Sequence, residues 1–110
     1  MKMVITVVQG KDAGALTDKL VAKRFGVTRI NTSGGFLRES NATFLIGVQD
    51  EQLDEVISVI RATCKTRSHF LNPMPPMSEP GGEIYMPNPV EVQVGGATIF
   101  VVAVDKYLRL

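Results

Sequence analysis

Read for its apolar positions, the chain opens with Met3 to Val8, a β-branched run broken only by Thr6, which predicts a buried strand. The period then changes to a helical one. Leu16, Leu20 and Val21 form a stripe, with Lys19 and Lys23 on the outer face. The pattern predicts a helix from an Asp12 N-cap to about Phe25, with Gly26 as the left-handed residue at its end. Val27 to Thr32 and Thr43 to Val48 read as the second and third strands. Asp50 is placed to cap a second helix, in which Leu53, Val56, Ile57 and Ile60 keep helical spacing. Pro89 to Val94 alternates valines with Glu91 and Gln93, and Thr98 to Val104 is the most hydrophobic strand.

The resulting order is βαββα, a long loop, then ββ. It predicts an α+β, ferredoxin-like sandwich, βαββαβ with an extra C-terminal hairpin strand, as one domain over 1–110. Two helices cover one face of such a sheet, yet several of these strands are apolar on both faces. Leaving the second face in water forgoes roughly 25 cal/mol per Å² of apolar surface. Either subunits pack sheet against sheet, or a loop folds back over that face.

From about 67 to 88 no regular pattern survives Pro73, Pro75, Pro76, Pro80, Pro87 and the Gly81-Gly82 pair. A structureless loop longer than about 15 residues in a small domain is usually functional or disordered. Met74, Met77, Tyr85 and Met86 give it adaptable apolar contacts. It reads as a long flexible flap that orders on a ligand or partner, or as a mobile connection with no role.

Charge narrows the function. The 110 residues carry 12 basic and 11 acidic side chains, a net charge of +1, with no basic run. Nucleic-acid binding would need a concentrated basic face. A single cysteine suits a reducing compartment, and the opening apolar run is too short for a signal peptide or membrane span, so the expected location is cytoplasmic. Catalysis finds no constellation. His69 and Cys64 are the only residues of their kinds, and Cys64 continues the apolar stripe of Ile57 and Ile60 as a core thiol. No metal cluster can be assembled from them, and neither phosphate-binding fingerprint is present.

The most informative stretch is 28–48, TRINTSGGFLRESNATFLIGV. Gly34 and Gly35 let a ligand approach the backbone, and Phe36 beside Leu37 offers a flat apolar face. Thr28, Thr32, Ser33 and Asn41 add hydroxyl and amide groups, while Arg29 and Arg38 add cations. Glycine N–H groups can hold phosphate oxygens, so a base with phosphates is the ligand this set suits best. A second pair, Gly95-Gly96, lies in VEVQVGGATIFVV; both pairs are equally compatible with being only turns.

These residues carry a resemblance. MKMVITVVQ, TSGGFL, SNATFLIGV and the Pro-Met segment ending in YMPNPVEVQVGGATIFV together resemble the PII-like signal transduction proteins of the cyclic-di-AMP receptor family, the PstA or DarA group, over nearly the whole chain. The resemblance implies a PII-like homotrimer of ferredoxin-like subunits, without enzyme activity, binding cyclic di-AMP in the clefts between subunits and passing the signal to an unidentified protein partner. It implies ligand contacts at Thr28, Gly35, Phe36, Leu37, Asn41 and Gly47, with Gly34 beside them and Phe100 lining the pocket. No cofactor, nucleic acid or membrane partner is implied. Two positions depart from the family. Arg24-Phe25-Gly26 stands where Asn-Phe-Arg is typical, so the family's contacting arginine is missing; Arg24 either reaches the same phosphate or faces solvent. The tail Tyr107-Leu108-Arg109-Leu110 differs too, with Arg109 where a contacting glutamine often sits. A sensor of another adenine nucleotide, and a pure protein-interaction regulator acting through the Pro-Met segment, are the alternatives.

Overall fold

Residues 1–33, 40–71 and 90–110 are described by the computed structural model of this protein. Their main sheet has four strands in the order β2–β3–β1–β6, every pair antiparallel. The strands are β1 (Lys2–Gln9), β2 (Gly26–Ser33), β3 (Ser40–Val48) and β6 (Ala97–Ala103). Helix α1 (Gly10–Ala22) connects β1 to β2, which lie parallel with β3 between them, a split βαβ unit. A 3₁₀ turn (Asp50–Gln52) and α2 (Leu53–Thr63) follow β3. The α+β class with two helices and an antiparallel sheet is therefore as expected.

Register assigns the faces. Val4, Val8, Ala42, Phe44, Ile46 and Val48 turn toward the helices and are buried with Leu16, Leu20, Val56 and Ile60. Thr6 shares that face; it is fully buried, and its Oγ1 has no hydrogen-bond partner. On the opposite face, cross-strand rows run Ile30–Thr43–Val7–Thr98, Thr28–Leu45–Ile5–Phe100 and Gly26–Gly47–Met3–Val102. No described helix covers these rows, and Phe100 is left 56% exposed, Ile30 45% and Val102 44%. A sheet face meant for water alternates to polar residues. This one does not.

The strand pairing corrects one expectation. Arg67–Leu71, assigned to the Pro-rich loop, forms strand β4 and pairs with β5 (Val90–Val94) in a separate two-stranded ribbon. Thus β5 is no hairpin partner of β6; the chain changes sheets at Gly95-Gly96. The rest of the Pro-Met segment, 72–89, lies outside the described residues.

Three caps differ from the sequence reading, each for a physical reason. Gln9, not Asp12, occupies the N-cap of α1; Asp12 sits in the first turn, buried, where an arginine from β4 holds it. Gln49, not Asp50, caps the 3₁₀ turn through reciprocal bonds with Gln52, and Asp50 pairs instead with the Met1 amine at 3.1 Å, which lowers its pKa. The left-handed residue ending α1 is Arg24 (φ 65°), not Gly26, which begins β2. Phe25 N–H donates to Leu20 O and Arg24 N–H to Val21 O, a Schellman closure with buried Phe25 packed in the Leu20 core cluster. Val21, placed on the core stripe by its spacing, is 59% exposed; Ala13 takes that place.

Candidate functional site

At one end of the open sheet face, Gly26 and Gly47 are register partners across β2 and β3. Two facing residues without side chains make a dimple in the row with Met3 and Val102, bare at Gly26 and approached by the Met1 side chain at Gly47. A Cβ at Gly26 would meet nothing within 4 Å, whereas one at Gly47 would lie 3.3 Å from the Met1 Cε. Thr28 follows two residues on, exposed, in the row that ends at Phe100. Arg24 lies two residues before Gly26, in the connection between α1 and β2. Its left-handed backbone costs an L residue about 1–2 kcal/mol. Strain of this kind gathers at functional positions. The guanidinium is exposed and has no ion-pair partner among the described residues, so it is available to an anion.

Asn41 lies at the other end of β3, opposite Gln9 of β1 and Thr32 of β2. It lines an open cleft of about 360 Å³ with Val7, Val8, Gln9, Thr66, Gly95, Gly96, Ala97 and Thr98. Ser33 and Ser40, which bracket 34–39, pair with each other one step from Asn41. Gly34, Gly35, Phe36 and Leu37 themselves lie outside the described residues. Gly95 (φ 86°) and Gly96 (φ 87°) both hold left-handed backbone, and a Cβ on Gly96 would come within 2.9 Å of Thr66 Oγ1. This glycine pair is both the turn between sheets and a wall of the cleft.

The candidates thus separate. Asn41 and Gly47 stand six residues apart in one strand, about 20 Å at the usual rise. Thr28 and Phe100 occupy the two edge strands, about 14 Å apart across three strand spacings. Arg109 belongs to the exposed stretch beyond β6, with Tyr107 and Leu108. One subunit places Thr28 and Gly47 toward one end of the sheet, with Arg24 two residues before β2, and Asn41 with the Gly95-Gly96 turn toward the other.

Sequence reasoning missed Gln9 and Thr66, which have no distinguishing local pattern, and the role of Asp12. The Gln9 Oε1 accepts a hydrogen bond from Gly95 N–H at 2.7 Å. Cys64 is buried, and that burial pushes its thiol pKa up to about 11, so it is a core group rather than a nucleophile. Among the described residues no three His, Cys, Asp or Glu side chains come together to hold a metal, and no helix is long and apolar enough to cross a membrane.

The arrangement is that of a small α+β domain with a facing glycine pair at one end of its sheet and a glycine-walled cleft at the other. The chain belongs to the cyclic-di-AMP receptor family, whose model matches residues 1–110, its whole length. It is also similar to a solved structure, a functionally unknown protein from Pediococcus pentosaceus ATCC 25745. The two are 38% identical with a TM-score of 0.77, over 99% of this chain and 96% of that one.

Proposed function

We propose that this protein is a non-enzymatic, PII-like cytoplasmic sensor that forms a homotrimer, binds cyclic di-AMP between neighbouring subunits and relays its presence to a protein partner through loop rearrangement. Family membership supports the ligand. The observation that carries the intersubunit site is the separation of Asn41 from Gly47 by about 20 Å along β3. A single dinucleotide that touches residues of both kinds takes them from different copies. The uncovered rows around Ile5, Ile30 and Phe100 support such an assembly, because sheet-to-sheet packing removes them from water.

In this assembly the Gly26–Gly47 dimple admits a flat or phosphate-bearing group close to backbone, Thr28 supplies a hydroxyl, and Arg24 supplies the cation. Asn41 of the next subunit, with Gly34, Gly35, Phe36 and Leu37, closes the other side; Phe100 and Arg109 complete the set. Calorimetric titration with cyclic di-AMP, with light scattering on the same sample, tests this. Saturable heat with one ligand per subunit is expected from a trimer. No heat at micromolar ligand from a folded trimer rejects cyclic di-AMP, and a monomer at working concentration rejects the shared site.

Gly26 favours a second reading, a sensor of this architecture tuned to another adenine nucleotide, since no side chain at that position can hold a phosphate. A thermal-shift screen across mono- and dinucleotides separates the two, because a tight ligand raises the melting temperature by mass action.

A further inference from the structure

We propose that the Asp12–Arg67 ion pair acts as a positioning device that, together with Gln9, fixes the Gly95-Gly96 wall of the Asn41 cleft for its ligand; this rests on reading that cleft as one side of the cyclic-dinucleotide site. Two chain segments pass between the main body and the β4–β5 ribbon: 64–66 going out and 95–96 coming back. They run side by side, with Gly96 N–H donating to Cys64 O. The first turns of α1 grip both. Arg67, first residue of β4, donates to Asp12 Oδ1 at 2.8 Å and Oδ2 at 3.3 Å, and also to Lys65 O at 3.1 Å. Three residues earlier, Gln9 holds Gly95 N–H. Gln9 is at once the last residue of β1, the N-cap of α1 and the register partner of Asn41.

The ribbon's root, the cleft wall and Asn41 therefore meet at one node. A two-stranded ribbon is marginal by itself, so its direction is set where it is held. The Asp12 carboxylate is 7% exposed and accepts a two-point, charge-assisted contact, the strongest class of side-chain hydrogen bond. Its presence raises the Arg67 pKa. Neither Asp12 nor Arg67 lines the cleft. Their effect on a ligand is indirect, through the glycine turn.

The variants are Asp12→Ala, the double Asp12→Ala/Arg67→Ala, which leaves no buried charge behind, and Arg67→Lys, which keeps a charge on Asp12. Amide hydrogen exchange without ligand is the first readout. Gly95 to Thr98 and β4 should exchange about tenfold or more faster in the first two variants, since local opening reports the lost contact. Exchange at Met3 and Ile46, on the two central strands at the end of the main sheet away from the Asn41 cleft, should stay at the wild-type rate. The second readout is affinity for cyclic di-AMP, expected to fall about tenfold or more in step with exchange and to recover partly in Arg67→Lys. Unchanged exchange overturns the clasp. Faster exchange with unchanged affinity overturns its positioning role. If the wild-type protein gives no heat with cyclic di-AMP, the functional reading fails separately, and the exchange experiment alone decides whether the clasp holds the ribbon.

Discussion

Arg24→Gly separates backbone strain from ligand contact in one substitution. Arg24 occupies the C′ position of α1 with φ 65°, where glycine is the common choice. Relief of the left-handed penalty is worth about 1–2 kcal/mol, and the extra freedom of an unfolded glycine takes back about 0.5–1 kcal/mol. The Arg24 side chain is exposed and unpaired among the described residues, so little packing is lost. The folded subunit should gain about 0.5–1 kcal/mol, or a few degrees in melting temperature for a domain of this size. Binding should move the opposite way. If Arg24 meets a phosphate in place of the family's missing arginine, its loss removes a charge-assisted bond worth about 1.5–3 kcal/mol and weakens cyclic di-AMP about tenfold or more. The assay pairs unfolding with calorimetric titration on the same preparation, and Arg24→Asn, tolerant of left-handed backbone, gives an intermediate stability gain with the same loss of charge. A variant that is more stable yet binds at wild-type affinity shows that Arg24 faces solvent. A variant that is less stable refutes the strain argument.

Four other outcomes are expected. Gly26→Arg fits without collision, because its Cβ meets nothing within 4 Å, and should tighten cyclic di-AMP about tenfold by calorimetry if the glycine is what weakens the site; unchanged affinity removes that explanation. Thr6→Val removes a buried hydroxyl with no partner and should raise stability by about 1 kcal/mol in denaturant unfolding; a loss would mean that the hydroxyl is bonded in solution. Phe100→Asp and Val101→Asp sit side by side on β6, both exposed, but on opposite sheet faces; light scattering should show dissociation for the first alone, and any other pattern counts against the open face as the subunit interface. Cys64, with its folded pKa raised to about 11 from 9.0, favours the folded state below about pH 9 and loses that contribution as pH rises toward 11, so alkaline unfolding should be shallower in Cys64→Ala and wild-type alkylation at pH 8 slow until denaturant is added.

What could be read from the chain was periodic. β1 shows as a nearly unbroken β-branched run, β3 and the inner stripes of both helices repeat their apolar residues at the spacing of their own secondary structure, and Leu16, Leu20, Val56 and Ile60 are buried accordingly. The misreadings are places where a distant partner decided. Asp12 has the residue type of an N-cap, but Arg67, 55 residues away in sequence, draws it into the first turn. Gly26 has the type of a C-cap, but the helix closes two residues earlier because Phe25 must reach the core beside Leu20. The alternation of β5 announces a strand without naming its neighbour, and that neighbour begins a segment whose prolines hide it.

The site follows the same division between type and distance. Residues 28–47 look like one motif because they are contiguous, and their residue types suit a base with phosphates. Two long antiparallel strands, however, lay the described residues out straight. Thr28 pairs with Leu45 near one end while Thr32 pairs with Asn41 near the other. Contiguity in sequence therefore argues against a site closed within one subunit: the more extended the strands, the farther apart their polar residues stand. A compact ligand that uses both ends of such a hairpin does so by bridging copies. The same extension leaves Ile30, Leu45 and Phe100 on one face that no described helix covers. In the proposed trimer, the strand geometry that divides the pocket also presents the surface on which a second copy completes it.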